Sequence, residues 1–213
     1  MMTFAKAIAV SLLLLIPVPL LLGAQAPLAL QDWDLRSFAG NTDYRMVTLD
    51  GSSVLQAVTQ DSASALYQER RIDLRRTPYL HWRWRTDSGA PAGADENTKP
   101  GDDYPARVYV VRSGGLAFWR TKALNYVWSR QHPVGSRWSN PFAGDNVQMW
   151  ALNSGAQNQE QWQHHVRDVR ADWLAAFGEE IDSLDGLALM TDMDNGGGRA
   201  RSWYADIHFS AQR

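Results

Sequence analysis

Apolar and polar side chains alternate along much of the chain, which is the pattern of β-strands. The clearest example covers residues 80–85, where Leu80, Trp82 and Trp84 alternate with a histidine and two arginines. Successive side chains of a strand point to opposite faces. This run therefore predicts a strand with an aromatic core face and a charged outer face, and we expect Trp82 and Trp84 to lie in the core.

Short runs of the same kind recur between turn residues. The runs Tyr44–Leu49 and Val54–Thr59, joined by Asp50-Gly51, have the spacing of a β-hairpin. We also predict a hairpin over residues 117–129 and a long polar loop over residues 131–146. The last strand is predicted over residues 202–209, with its odd-numbered apolar residues on one face.

One α-helix is predicted among these strands. Asp168 is a suitable N-cap, the next residues follow helical spacing, and Gly178 stands where a left-handed C-terminal residue is wanted. Many short strands and one short helix predict an all-β fold, an antiparallel β-sandwich of the jelly-roll kind.

The first 26 residues have the plan of a secretory signal peptide. A lysine precedes an apolar run over residues 7–22, and small residues follow at Ala24 and Ala26. We expect residues 1–26 to be removed and residues 27–213 to form one β-sandwich domain in the periplasm or outside the cell. The alternative is an uncleaved anchor; after cleavage no transmembrane span is expected.

Composition narrows the classes of function. The formal net charge is -2 without a basic block, which argues against binding nucleic acid through its phosphates. The absence of cysteine excludes thiol catalysis, cysteine-bound zinc and iron–sulfur clusters. The 10 tryptophans are many for 213 residues, and such rings either fill cores or stack on flat ligands such as sugars.

A long charged loop joins the strand at residues 79–85 to a second strand-like run that begins near Arg107. Loops of this length in compact domains are often functional. We expect Lys99, Asp102, Asp103 and Arg107 to converge near one end of the second strand. The alternative is a solvated loop with ordinary ion pairs.

The candidate ligand-binding residues combine charged groups with aromatic surface. Aromatic faces stack on sugars, and charged groups bond to hydroxyls. The sequence therefore favours a binding module for a glycan or another polar ligand of the cell envelope. Two alternatives stay open: an enzyme acting on an envelope polysaccharide, with Asp102 and Asp103 as acid and base, and an interaction or structural protein of the envelope. The candidate residues are Arg83, Arg85, Lys99, Asp102, Asp103, Arg107, Trp128 and Trp138.

The turn at residues 192–196 is a candidate calcium site. Asp192, Asp194 and Asn195 place three oxygen-bearing side chains together, and Asp206 on the last strand is a more distant candidate ligand. Calcium prefers clustered carboxylate and carbonyl oxygens. The alternative is a hairpin turn in which Asp and Asn bond to their own backbone.

Six motifs are spread over the predicted domain: Leu80-His81-Trp82-Arg83-Trp84, Lys99-x-Gly101-Asp102-Asp103-Tyr104-x-Ala106-Arg107-Val108-Tyr109-Val110, Tyr126-Val127-Trp128-Ser129, Trp162 with Arg167-Asp168-Val169, Asp192-x-Asp194-Asn195 and Tyr204-x-Asp206-Ile207. Together they resemble an exported bacterial family catalogued as domain of unknown function 3047, with Lys-x-Gly-Asp-Asp as the most specific part. Gly196-Gly197 stands where we expect Thr-Gly from that family. The resemblance implies export and a sandwich similar to the galactose-binding and other carbohydrate-binding modules; it implies no established activity.

Overall fold

The computed structural model describes residues 30–87 and 94–213. The predicted signal peptide, residues 1–26, lies outside these ranges, and so do residues 88–93 of the charged loop. In the described ranges the chain is an all-β sandwich with one α-helix, which confirms the predicted fold class.

Short 3₁₀ turns occupy Leu30–Asp32, Lys99–Gly101 and Phe118–Arg120. None of the helices within the described ranges has the length and apolar character that crossing a membrane requires. The strands and the helix are β1 (Asp34–Ala39), β2 (Asp43–Leu49), β3 (Ser52–Gln60), β4 (Ala63–Asp73), β5 (Tyr79–Thr86), β6 (Arg107–Arg112), β7 (Lys122–Ser129), β8 (Arg137–Asn140), β9 (Gly144–Ser154), β10 (Gln163–Asp168), α1 (Val169–Phe177), β11 (Ser183–Met190) and β12 (Arg199–Ser210).

The strands form two sheets. The larger has seven strands in the order β1-β4-β11-β6-β7-β9-β8, and the smaller has five in the order β10-β5-β12-β3-β2. Neighbouring strands are antiparallel except β7 and β9, which are parallel. Each sheet has one inner face in the shared core and one outer face.

β5 shows why the sequence places its rings inside. Leu80, Trp82 and Trp84 are almost fully buried and belong to the main core cluster, whereas Arg83 and Arg85 lie on the outer face. Burying each large apolar side chain contributes about 1.5–3 kcal/mol, which fixes which face of the strand turns inward. The predicted alternation in β5 is thus confirmed.

The predicted helix and the first hairpin are also confirmed. Asp168 accepts a hydrogen bond from the amide of Ala171 at 3.1 Å, and Gly178 closes the helix with a left-handed φ of 70°. Between β2 and β3, Asp50 and Gly51 have φ values of 52° and 77°. Two positive φ values in a two-residue loop match the twist of the flanking strands.

Three local predictions are wrong. Residues 118–120 form a 3₁₀ turn, so β7 pairs in a hairpin with β6 instead of with residues 117–120. The predicted polar loop contains the short strand β8, which pairs with β9. In β12 a bulge at Asp206, where φ is 57°, breaks the alternation, so Phe209 joins the main core while Trp203 packs elsewhere.

Candidate functional site

Four side chains form a row across the outer face of the seven-stranded sheet. Tyr67 on β4 lies opposite Ala188 on β11, Ala188 lies opposite Tyr109 on β6, and Tyr109 lies opposite Asn125 on β7. Directly opposite residues of paired strands project from the same face. We call these four residues the outer row. The rings of Tyr67 and Tyr109 are half-buried, and the small, buried Ala188 separates them.

The floor beside the outer row is built from small and apolar side chains. Ala63, Ala65 and Met190 pack with Ala188 into one cluster, and both tyrosines pack against it. A Cβ atom at Gly186 would lie 2.3 Å from the hydroxyl of Tyr67, so this ring lies across β11 where glycine leaves room. On this half of the sheet the two tyrosine rings therefore stand above shorter side chains.

Arg36 covers part of this surface. Its guanidinium carbon lies 4.1 Å from the centre of the Tyr67 ring. Burial raises the pKa of Tyr67, and burial likewise raises the pKa of Tyr109 to about 12. Both phenols are therefore neutral at physiological pH and can donate or accept hydrogen bonds.

Asn125 ends the row with an unpaired acceptor. Its side-chain nitrogen donates to the sulfur of Met149 at 3.3 Å. Its side-chain oxygen is buried and has no hydrogen-bond partner within the described ranges. A buried acceptor without a donor costs about 1–3 kcal/mol, and because Asn125 is 0% exposed this oxygen lies beneath the surface of the row.

A buried arginine stands beside the outer row. Arg107, only 2% exposed, begins β6 on the same face as Tyr109. Its Nε donates to Asp192 at 2.7 Å, a second nitrogen bonds to the other Asp192 oxygen, and Nη1 donates to the Tyr109 hydroxyl at 3.1 Å. Asp102 completes the contacts, with its carboxylate 3.5 Å from Nη1. The guanidinium thus joins the charged loop, β6 and the segment after β11.

Asp103 fastens the charged loop to the turn that follows β11. Its two oxygens accept the backbone N–H groups of Asn195 and Gly196 at 3.0 and 2.5 Å. Asp102, for its part, accepts from the side-chain nitrogen of Asn140 at 3.2 Å. Both carboxylates are buried and engaged within the protein.

Three carboxylates lie close together at this junction. Oxygens of Asp103, Asp192 and Asp194 all lie within 4.8 Å of one another, and we call these three residues the acidic cluster. With Asp102 they set four carboxylates against one buried guanidinium. Burial raises the pKa values of Asp102, Asp192 and Asp194. Burial by itself would lower the pKa of Arg107, but the negative charges of Asp102 and Asp192 have the larger effect, and the pKa of Arg107 is raised.

The acidic cluster contains two of the four predicted calcium ligands. Asn195 adjoins it and donates from its side-chain nitrogen to Asp194 at 3.1 Å. Asp206 lies elsewhere, on β12, where it forms an ion pair with Arg83 at 2.6 Å. Asp103, rather than Asp206, is the third carboxylate beside Asp192 and Asp194, and calcium binding stays a prediction.

The structure brings together Asp102, Asp103 and Arg107, as the sequence led us to expect. Lys99 is adjacent in sequence, but its amine lies over the ring of Phe142, 5.2 Å from the ring centre. The proposed convergence therefore holds for three of the four residues, and Lys99 does not join their hydrogen bonds.

Four other predicted ligand-binding residues lie outside the site. Arg83 and Arg85 project from the outer face of the five-stranded sheet, because the rings between them turn inward. Trp128 is 1% exposed in the main core, which leaves no ring face for a ligand. Trp138 is buried against Tyr104 and stacks on a histidine ring at 3.9 Å.

The outer row itself was missed by the sequence analysis. Its members come from four strands that are distant in sequence, and only the sheet order places them side by side. The alternation in β6, which sets Arg107 and Tyr109 on one face, was the only signal available.

Several solved structures are similar to this chain at low sequence identity. The chain is similar to a family 11 carbohydrate-binding module from Clostridium thermocellum in complex with a mixed-linked tetrasaccharide (TM-score 0.42, 8% identity, covering 85% of this chain and 91% of that one). It is also similar to the xyloglucanase domain of NopAA from Sinorhizobium fredii in complex with cellobiose (TM-score 0.45, 8% identity, covering 87% and 97%).

A third similar structure is the family 11 xylanase from Neocallimastix patriciarum (TM-score 0.41, 12% identity, covering 87% of this chain and 95% of that one). Likenesses of this size carry no argument about ligand or activity. No curated protein matches the chain. The sequence model of the protein family of unknown function DUF3047 matches residues 31–208, and the chain belongs to that family.

Proposed function

We propose that this protein binds a glycan of the cell envelope on the outer face of its seven-stranded sheet and does not cleave it. The observation that carries the proposal is the outer row: two half-buried phenol rings with a small residue between them, packed against a cluster of small and apolar side chains. Sugars present apolar C–H faces and many hydroxyls, and these features match the ring surfaces and hydroxyl groups of the two tyrosines.

The spacing of the row favours more than one sugar ring. β4 and β6 are separated by β11, so the two tyrosines stand two inter-strand distances apart, or about 10 Å. A single pyranose ring is too short to contact both phenol rings at once. The row therefore supports an oligosaccharide or a segment of a polysaccharide as the ligand.

The positions of the paired carboxylates argue against hydrolysis. A general acid must reach the oxygen of the scissile bond, and its partner must reach a water molecule or the sugar. Both oxygens of Asp103 accept hydrogen bonds from backbone N–H groups. Asp102 accepts a hydrogen bond from Asn140 and lies close to Arg107. These acids support the loops around the site, so binding without catalysis is the better proposal.

Export is part of the same proposal, because the ligand class belongs to the cell envelope. It rests on the sequence of residues 1–26. The N-terminal sequence of protein recovered from a periplasmic extract should begin close to residue 27. Recovery from that extract of a chain that still begins at Met1 contradicts the cleavage.

Binding to a panel of soluble envelope oligosaccharides tests the proposal, with Tyr67→Ala as the site variant. Tyr79→Ala is the matched control, since Tyr79 is a half-buried tyrosine on β5 of the other sheet. We expect the wild type to bind at least one oligosaccharide and Tyr67→Ala to weaken it about tenfold or more, the loss expected for one stacked ring. Equal loss in both variants, or no binding by the wild type, refutes the proposal.

A further inference from the structure

Large apolar side chains stand in solvent at one end of the seven-stranded sheet. In the connection from β6 to β7, Leu116 is 102% exposed and Trp119 is 63% exposed, and Phe142 in the turn between β8 and β9 is 55% exposed. The side-chain nitrogen of Asn146, near the start of β9, donates to the carbonyl of Trp119 at 3.1 Å, so the connection lies against the end of β9 that follows the second turn. We call Leu116, Trp119 and Phe142 the apolar tip.

The connection is held in shape by its own backbone. The amide of Ala117 donates to the carbonyl of Gly114 at 3.1 Å, and the amide of Arg120 donates to the carbonyl of Ala117 at 2.8 Å. A Cβ atom at Gly114 would lie 2.1 Å from the Ala117 oxygen, so glycine is needed for this close approach. These contacts define the backbone path of the loop that carries Leu116 and Trp119.

Basic side chains flank the loop that carries Leu116 and Trp119. Arg112, Arg120 and Lys122 stand at the two ends of the loop. Arg112 and Lys122 form ion pairs with Asp185 and Glu179 at 3.9 and 3.1 Å, and Arg120 is exposed.

From this arrangement we propose that the apolar tip inserts into the surface of an anionic phospholipid bilayer and holds the protein against it. Tryptophan is favoured at the level of the headgroups, and lysine and arginine are drawn to anionic lipid. A stable protein interface buries about 1,200–2,000 Å² in total, far more than three side chains on two turns offer. A bilayer, in contrast, accepts single side chains a few ångströms deep.

The absence of cysteine allows a site-specific test on the full chain. Leu116→Cys is labelled with an environment-sensitive fluorophore and mixed with vesicles of phosphatidylcholine, with and without phosphatidylglycerol. We expect a blue shift and a several-fold rise in emission, stronger with the anionic vesicles, and quenching by lipids that carry a spin label in the acyl chain. The control is Val134→Cys, which is 64% exposed in the loop after β7, at the opposite end of that strand, and should not respond.

A second variant distinguishes insertion of the apolar tip into the bilayer from simple closeness of the label to the vesicle surface. Trp119→Ser together with Arg120→Ser in the labelled chain should lower the apparent affinity for anionic vesicles about tenfold, with the circular dichroism unchanged. Because the fluorophore reports its own surroundings, attachment through any other part of the chain leaves it silent. A silent label at residue 116, an equal response at residue 134, or full binding by the double variant overturns the proposal.

Discussion

Replacing Arg107 with methionine removes the cation that holds the site together. Its guanidinium is 2% exposed and bonds to both oxygens of Asp192, while Asp102 lies 3.5 Å from Nη1. The methionine fills much of the same space, so the main effect is an uncompensated buried carboxylate. Removing one partner of a buried ion pair costs about 3–5 kcal/mol, and we expect Arg107→Met to lose this much free energy of unfolding at neutral pH.

The loss should depend on pH in a defined direction. Without Arg107, burial keeps the pKa of Asp192 far above its value in the unfolded chain. A raised folded-state pKa means that stability is present at low pH and is lost as the pH rises, so the deficit at about pH 8 should exceed the deficit at about pH 5.5. A second change, Asp192→Asn, should restore part of the stability at the higher pH.

Urea unfolding followed by tryptophan fluorescence measures these differences. Arg112→Met is the matched control on the same strand, since that arginine is 43% exposed and its ion pair with Asp185 spans 3.9 Å. We expect the control to cost less than about 1 kcal/mol at either pH. A loss below about 1 kcal/mol in Arg107→Met, or a deficit that grows as the pH falls, refutes the account of the buried network.

Three other predictions concern single features. Burial lowers the pKa of His165 from 6.5 to about 4. The neutral ring therefore contributes fully to the free energy of unfolding above pH 6.5, and this contribution is lost as the pH falls toward 4. Unfolding experiments should show a loss of about 2 kcal/mol between pH 7.5 and pH 5 that is missing in His165→Gln; equal losses contradict it. Calcium should raise the melting temperature relative to a chelator and Asp194→Asn should abolish the rise, whereas a chelator without effect counts against the cation. Gly186→Ala should displace the Tyr67 ring and weaken oligosaccharide binding about tenfold while costing about 1–3 kcal/mol in stability, and unchanged affinity excludes that ring from the site.

The sequence predicted those parts of the fold that local chemistry decides. In β5 each core residue is flanked by polar ones, so the face is fixed by burial alone. Asp168 and Gly178 mark the ends of the helix because a cap side chain and a left-handed residue act within one turn. Asp50-Gly51 specifies its hairpin in the same way.

Other parts depend on contacts that no local pattern encodes. The bulge at Asp206 reverses the facing of β12 within the strand. The segment around Trp119 is apolar, which suggested a strand, but Trp119 itself is 63% exposed. β8 has four residues, too few for alternation to stand out from a loop.

In the candidate site too, contacts between residues close in sequence could be predicted and contacts between distant strands could not. Asp102, Asp103 and Arg107 lie within six residues of one another, so their association was predictable. The partner that bonds most fully to Arg107, Asp192, is 85 residues away and reaches it only because β11 and β6 are neighbours. The outer row depends on the order of four strands, which alternation within a strand does not reveal.

The most direct test of the account is an NMR titration of the isotope-labelled protein with an oligosaccharide that it binds. We predict that the largest amide shifts map to Tyr67, Ala188, Tyr109 and Asn125, on the outer face of the seven-stranded sheet. Shifts concentrated instead around His81 and Arg83, on the outer face of the five-stranded sheet, contradict it.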